Sequence, residues 1–354
     1  MRTLTVTRWT GPPVTERPST RGRWVWTLTG LATVGLLAWP VVGLISRAGN
    51  GGQGEFAIAT PTMTRTVIVT RPVTSLRVES YGAPIRITAG PVHQVTVTEA
   101  ISYAGPGQAP TVTAAVSDRR LTLEAPACAT SGCSVGFTVT VPSGVAVTAE
   151  SDDGGITVAG VAGANLDSAG GPVQASDIRG PLSISSDDGG ITVTDVSAPS
   201  GVNLDSGGGP IQVGRVVGPL TLASEDGGVT VNGLTGDLSA DTGGGQFSGD
   251  GVAAERVSVA TEDGSAVVGF STAPGYVLVD TGGGSAQLTF DQAPTTVLVN
   301  TENGPATLNV PGGPYSVSAT SDGGPLTVNV ATSAAAHRSL TVNSGGGPLD
   351  IGPR

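Results

Sequence analysis

Carboxylates that recur at glycine-rich turns are the residues of this sequence most able to do chemistry. Acid pairs stand at Asp152-Asp153, Asp187-Asp188, Glu225-Asp226 and Glu262-Asp263, and single acids such as Asp205 precede the glycine turns between them. Carboxylate oxygens are ligands that calcium prefers, and two carboxylates across a glycosidic bond can hydrolyse it. These acids recur along the chain as structural parts do, so the pattern does not indicate one catalytic pair.

The cysteines and histidines offer little further chemistry. Cys128 and Cys133 are five residues apart, and outside the cytoplasm this spacing predicts a small disulfide loop. A cysteine pair without a histidine neighbour is a poor zinc site. His93 and His337 lie far apart among polar or small residues, which predicts surface positions. With no nucleophile elbow, phosphate loop or zinc-protease motif, we predict no catalytic residues and no cofactor.

The composition excludes several protein classes. The 354 residues include 55 glycines and 25 prolines, while only 4% are aromatic and two are cysteine. These proportions exclude a helical bundle, a zinc-cluster protein and a disulfide-rich mini-domain. The net charge of −11 indicates a body that repels nucleic acid.

One motif repeats from residue 151 to the C-terminal end of the sequence. A Ser or Thr is followed by any residue, then Asp or Gly, then Gly, at intervals of 17 to 23 residues. Positions −4, −2 and +5 from that Ser or Thr are apolar in every repeat, with small or polar residues between them, which is typical of strands with one buried face. The first residues of the motif are Ser151, Ser168, Ser186, Ser206, Ser224, Thr242, Thr261, Thr281, Thr301, Ser321 and Ser344.

This pattern predicts two short strands and two turns in each repeat. Such a unit cannot bury its apolar face alone, but stacked copies bury a continuous core. We therefore predict an all-β parallel β-solenoid (β-helix) of about 11 short coils of 17–23 residues, preceded by one transmembrane helix. The alternative is a long antiparallel meander, whose second face would lack cover. We expect the Ser/Thr hydroxyls to point inward and satisfy turn N–H groups. The glycines would provide positive φ or close approach of stacked backbones.

The acids alternate with a period of two repeats. Acids at +1 and +2 in one repeat give way to glycine in the next, where the acid stands at −1 instead. Stacked strands lie about 4.8 Å apart, so this alternation keeps like charges from facing each other. The alternative is a calcium ion bridging Asp205 at −1 to Glu225 and Asp226 on the next coil.

An uncharged apolar segment, Trp24 to Ile45, predicts a membrane-spanning helix of about 33 Å. Five arginines precede it and Arg47 follows, which places the N-terminus in the cytoplasm and the rest of the chain outside. The alternative is a signal peptide cleaved near Ser46-Arg47-Ala48. The predicted organisation is an Arg-rich tail (1–23), this helix (24–45), a flexible linker (46–72), a β capping region (73–148) and the repeat solenoid (149–352).

The stretch from Phe137 to Gly163, FTVTVPSGVAVTAESDDGGITVAGVAG, leads into alternating Ser-Gly-Gly-Gly and Asp-Asp-Gly-Gly turns. In this it resembles the bacterial putative-adhesin family, whose members are domains of unknown function that often stand behind a single membrane helix. The resemblance covers about residues 73–352. It implies a β-solenoid on the cell surface without catalytic residues.

We therefore predict a membrane-anchored, extracytoplasmic and non-enzymatic module that binds a cell-envelope or surface ligand or has a structural role. One alternative is a polysaccharide-acting β-helix enzyme. Such sites usually offer aromatic rings, but all four tryptophans precede residue 40. The other alternative is an accessory protein of a cell-envelope stress system.

Overall fold

The computed structural model describes residues 62–105, 109–126 and 133–354, and all 29 of its regular elements are β-strands. No helix long and apolar enough to cross a membrane occurs in these ranges. The predicted membrane segment, Trp24 to Ile45, lies outside them and stays a prediction.

The strands form two sheets. The first sheet contains, in spatial order, β1 (Thr62–Val69), β4 (Val95–Ser102), β7 (Ser134–Pro142), β3 (Ile85–Gly90), β9 (Ile156–Ala159), β11 (Val173–Ser176), β13 (Ile191–Ser197), β15 (Ile211–Val217), β17 (Val229–Thr235), β19 (Phe247–Val252), β21 (Ala266–Phe270), β23 (Ala286–Phe290), β25 (Ala306–Val310), β29 (Leu349–Pro353) and β27 (Leu326–Val328). The second contains β26 (Ser316–Ser321), β28 (Ser339–Ser344), β24 (Thr296–Thr301), β22 (Tyr276–Thr281), β20 (Arg256–Thr261), β18 (Leu238–Thr242), β16 (Leu220–Ser224), β14 (Val202–Ser206), β12 (Leu182–Ser186), β10 (Gly163–Ser168), β8 (Ala146–Ser151), β2 (Ser75–Ser80), β6 (Arg120–Glu124) and β5 (Thr113–Ser117).

From β8 onward, each coil consists of a second-sheet strand, a glycine-rich turn, a first-sheet strand and a looser turn. Neighbouring coils pair in parallel with the predicted columns in register; Val257, for example, lies between Leu238 and Val277. The predicted all-β parallel β-solenoid is therefore confirmed, and the antiparallel meander is wrong for these repeats. The opposite turn edge, defined by the looser turns, absorbs the variation in coil length, because the glycine-rich turn always places the next strand at position +5.

The core lies between the two sheets and is made of the predicted inward columns. Val259 and Val279 are 1% and 0% exposed, and the rings of Phe270 and Phe290 stack on successive coils with centroids 4.5 Å apart. One inward position, Gly249, has no side chain. The Phe247 ring occupies that space, because a Cβ on Gly249 would lie 3.2 Å from the ring. In this repeat the Phe247 ring therefore fills the core space left by the missing side chain at Gly249.

Both ends of the stack depart from chain order. At the N-terminal end, the coil β6–β7 and the coil β8–β9 pack on opposite sides of the coil β2–β3. Antiparallel strands then extend both sheets, β4 and β1 in the first and β5 in the second. At the C-terminal end, the coil β28–β29 is inserted between β24–β25 and β26–β27. The last coil in space is therefore not the last coil in sequence.

Strand β1 lies within residues 46–72, which the sequence predicted to be a flexible linker. Its residues 62–69 instead pair antiparallel with β4. Val67 and Val69 alternate into the core and are each 8% exposed. The Thr-rich composition concealed this period-two pattern, which extends the ordered fold beyond the predicted boundary.

Candidate functional site

The glycine-rich turns line one edge of the solenoid, and in every turn except the one at Ser186 the Ser or Thr hydroxyl makes a hydrogen bond within the turn. Ser206 Oγ donates to the carbonyl of Gly209 at 2.8 Å, and Thr261 Oγ1 donates to that of Gly264 at 2.6 Å. The inward direction was predicted correctly. The expected partner was a turn N–H, as in the bond from Gly154 N–H to Ser151 Oγ at 3.0 Å. The same N–H bond is present at Gly171 and Gly324. In most turns the hydroxyl also or instead donates to the carbonyl three residues later, at Gly171, Gly209, Gly227, Gly245, Gly264, Gly284, Gly304, Gly324 and Gly347.

The glycine at +3 is required by contact between coils. A Cβ on Gly264 would lie 1.9 Å from the carbonyl oxygen of Gly245, and one on Gly284 would lie 1.9 Å from that of Gly264. None of the described glycines of these turns has a positive φ. Of the two roles expected for glycine here, close approach of stacked backbones is the one observed.

The alternation of acids with glycines at +2 has an electrostatic basis in the structure. A Cβ on Gly244 would lie 3.6 Å from Asp226 Oδ1 on the preceding coil, and one on Gly208 would lie 3.6 Å from Asp188 Oδ1. Each carboxylate at +2 therefore lies over the next coil's glycine. A second acid there would place a like charge beside the first carboxylate.

The alternation continues through the C-terminal end because the coils change places. In sequence order, the acidic turn at Glu302 is followed by a turn that again carries an acid, Asp322. In space, the turn at Gly345-Gly346 lies between them. The two-coil period is thus a property of stacking and not of chain order.

We call the described carboxylates at positions −1, +1 and +2 of these turns the acidic edge. The predicted calcium ligands Asp205, Glu225 and Asp226 line one shallow groove of about 540 Å³, together with Asp241, Gly243, Gly244, Glu262 and Asp263. In the described residues, no group of three or more His, Cys, Asp or Glu is arranged to hold a metal ion. The structure brings the three acids to one surface without gathering them into a cation site.

At the N-terminal end of the acidic edge, burial and neighbouring charges shift the pKa values of two carboxylates. Burial raises the pKa of Asp167, and the nearby charge of Asp187 raises it further. Burial also raises the pKa of Glu150, opposed by Arg77. The Arg77 guanidinium binds Glu79 at 2.5 Å and Glu150 at 2.9 Å, so it joins the −1 acids of two adjacent coils.

Amides replace acids at the other end of the −1 column. Asn300 Nδ2 donates to Asp280 Oδ1 at 3.1 Å, and Asn343 Nδ2 donates to Asn300 Oδ1 at 3.2 Å. The next residue in space is Thr320, which pairs in register with Asn343. The negative charge of this column therefore fades toward the C-terminal end of the stack.

The opposite turn edge carries compensated charges. Arg215 Nε donates to Asp195 Oδ1 at 2.5 Å, and Arg256 Nε donates to Asp237 Oδ2 at 3.2 Å. The hydrogen bond from Arg215 lowers the pKa of the exposed Asp195 carboxyl. His93 and His337 are exposed, as their sequence contexts predicted. The predicted disulfide stays a prediction, because Cys128 lies outside the described residues.

Residues 73–242 match the model of the Toastrack DUF4097 family. This part of the chain is similar to Toastrack domains. The predicted membership of an adhesin-like family of domains of unknown function is thereby confirmed. The same coils continue beyond the matched Toastrack residues to Pro353.

Crystal structures of similar chains carry adhesin names. A putative adhesin from Bacteroides fragilis is 17% identical with a TM-score of 0.43, over 65% of this chain and 96% of that one. A putative adhesin from Parabacteroides distasonis is 13% identical with a TM-score of 0.29, over 82% and 98% of the two chains. A putative cell adhesion protein from Clostridium sporogenes is 10% identical with a TM-score of 0.20, over 82% and 100%. No curated protein matches this chain.

Proposed function

We propose that this protein is a non-enzymatic binding or structural module that stands outside the cytoplasm on an N-terminal membrane anchor. The Toastrack family and the arginine distribution around Trp24 to Ile45 support the proposal. The main support for the proposal is that the polar groups of the turns have structural roles. The hydroxyls bond within their own turns and the glycines let neighbouring coils approach closely, and both features recur along the stack.

A repeated carboxylate array suits a scaffold better than an enzyme. Catalysis needs a few groups held in one unique geometry. Here the acids at Asp188, Asp226 and Asp263 occupy the same position in successive acidic coils, and each lies over a glycine of the next coil. Such an array gives the module one edge that is negative along most of its length and a stack of hydrogen-bonded coils.

The test is protease accessibility of the full-length chain in intact bacterial cells. One epitope tag is placed before Arg2 and another after Arg354. We expect added protease to remove the C-terminal tag and spare the N-terminal one, because the arginines hold the tail inside. Opened cells provide the control, since both tags must then be digested.

A second variant separates orientation from anchoring. Replacing Arg17, Arg21 and Arg23 with glutamate removes most of the positive charge next to the apolar segment, and we expect it to reduce the fraction with an external C-terminal tag. A C-terminal tag that stays protected in the unmodified chain, or a chain released without its N-terminal tag, contradicts the anchored arrangement.

A further inference from the structure

The two ends of the solenoid differ in how their outermost strands are paired. At the N-terminal end, antiparallel strands extend both sheets, and β1 there carries a charged residue, Arg65. At the C-terminal end, β26 and β27 are the outermost strands of the two sheets, and each strand pairs on one side only. Just before β26, Tyr315 pairs on the outer side with Thr332, so residues 331–333 cover the start of that edge. One coil thus presents two strand edges at a fixed spacing, open along β27 and along β26 beyond Tyr315.

This terminal coil exposes residues that are buried in every typical coil. Leu326 and Val328 are 49% and 38% exposed, whereas Leu349 and Ile351, their register partners on the adjacent coil, are 1% and 0% exposed. Val317 and Ala319 on β26 are half-buried and pack against the core. The open end is therefore an apolar surface bounded by two unpaired strand edges.

The edges lack the features that usually prevent edge pairing. Charged residues, prolines and bulges are the common protection for an exposed edge. Strand β26 reads SVSATS and strand β27 reads LTV, without a charge or a proline in either. An uncharged edge of this kind pairs readily with another strand.

We propose that this end is a contact surface for a second copy of the chain, joined end to end about a two-fold axis. A partner must offer two strand edges at the same spacing with apolar residues between them, and an identical solenoid end meets that requirement. With the axis perpendicular to both sheets, β26 pairs antiparallel with β26 of the second copy, and β27 pairs with its own counterpart. Such an interface is isologous and closes at a dimer.

Charge favours this axis over the alternative in the plane of the sheets. The perpendicular axis places the acidic edges of the two copies on opposite sides. Arg338 accepts a hydrogen bond at its carbonyl from Ser316 N–H, so it lies beside the start of β26, while Asp322 follows its end. Antiparallel pairing brings Arg338 of each copy toward Asp322 of the other. An in-plane axis would instead align the two acidic edges and make them repel.

The fading of charge along the stack is consistent with the same contact. The −1 column ends in Asn300, Asn343 and Thr320, and the terminal turn has one acid followed by Gly323. The proposed dimer depends on the fold and not on the membrane anchor, so an experiment that disproves the anchor would not contradict the dimer.

The test is site-specific cross-linking of the full-length chain in detergent micelles with a short bis-maleimide. Ser318→Cys places a thiol on the outer face of β26, and Ser258→Cys places one in the same column in the middle of the stack. The unmodified chain is the blank for its native cysteines. We expect Ser318→Cys to give a product of twice the 34.8 kDa chain mass and Ser258→Cys to stay monomeric.

A second variant tests the apolar contact. Val328→Asp in the Ser318→Cys background puts a charge where the two copies would meet, and we expect about a tenfold lower dimer yield. Val328 is 38% exposed in the single chain, so the melting temperature of the monomeric variant should not change. Equal cross-linking at Ser318 and Ser258, no dimer at about 100 μM, or a ladder of larger products from head-to-tail association would each overturn the proposal.

Discussion

The two turn edges of this solenoid use glycine for different physical reasons. On the glycine-turn edge, the glycine at +3, as at Gly264, is needed because the carbonyl of the coil below leaves no room for a Cβ. On the opposite turn edge, glycines such as Gly160, Gly201 and Gly233 have φ values of 77°, 109° and 74°, which side chains disfavour, and a Cβ on any of them would meet nothing closer than 3.4 Å. Only some glycines of that edge, Gly180, Gly218 and Gly236, also lie against a carbonyl of the neighbouring coil. The first edge is thus fixed by contact in every coil, whereas the second is fixed by conformation in some coils and by contact in others.

This difference explains why one edge repeats and the other varies. A contact between stacked backbones must be the same in every coil, so the turn has constant length and a constant Ser or Thr. A conformational requirement concerns one coil alone, so the looser turns differ in length and accommodate residues such as Asp195 and Arg215 at positive φ. Substitutions on the two edges should therefore differ in cost.

The largest difference in stability is expected between two Gly→Ala substitutions, one on each turn edge. Gly264→Ala drives a Cβ into the Gly245 carbonyl and should destabilise the fold by about 3 kcal/mol. Gly144→Ala, on the opposite turn edge, meets nothing within 4 Å and has no positive φ, so its effect should stay within about 0.5 kcal/mol. Denaturant melts of the two variants measure both values, and equal losses would remove the distinction between the edges.

A smaller effect should come from the buried hydroxyls of the glycine-turn edge. Ser206→Ala leaves the Gly209 carbonyl without its hydrogen bond and should cost about 1–2 kcal/mol. Ser186 is the matched control, because its buried Oγ has no hydrogen-bond partner. Ser186→Ala should therefore be neutral or slightly stabilising in the same thermal melt. If Ser186→Ala costs as much as Ser206→Ala, the hydroxyl bond is not what holds the turn.

The smallest effect is a pH dependence at Asp167. Its folded pKa is raised by burial and then by Asp187, so the folded state holds this proton more tightly than the unfolded chain does. Its contribution is most favourable below the ordinary pKa of 3.8 and declines as pH rises through the raised folded value. Asp167→Asn should raise the melting temperature at pH 7 by on the order of 1 °C and have little effect near pH 3.5. A gain that is independent of pH would contradict this origin.

The sequence predicted the repeated coil because each inward column is determined by its own period. Val147, Val257 and Leu340 all occupy the position −4 that the pattern assigned to the core. The partner of each hydroxyl was harder to predict, because Ser and Thr can donate and accept within the same turn. The role of Arg77 was missed for another reason. Its coil carries a degenerate motif at Ser80, and aligning that motif would have placed Arg77 in the column beside Glu79 and Glu150.

The spatial order of the coils at the ends could not be predicted from the periodicity. The period shows which column each residue belongs to, but it does not show which coils are adjacent in space. Two signals were nevertheless present. The interval from Ser321 to Ser344 is the longest between motifs, and the alternation of acids with glycines breaks in sequence at Asp322. Exchanging the last two coils restores the alternation, so the stacking rule was a better guide to neighbours than chain order.

We interpret the acidic edge as a stacking pattern and not as a cation site. Asp205, Glu225 and Asp226 share a groove, but the carboxylates at +2 lie over glycines of the next coil rather than around a common point. The direct measurement is the melting temperature in calcium chloride against sodium chloride at matched ionic strength. We predict equal melting temperatures, because both salts only screen repulsion among the acids. A bound ion would add about 2.7 kcal/mol at a hundred times its dissociation constant. A calcium-specific rise of several degrees that Asp226→Asn abolishes would contradict the claim.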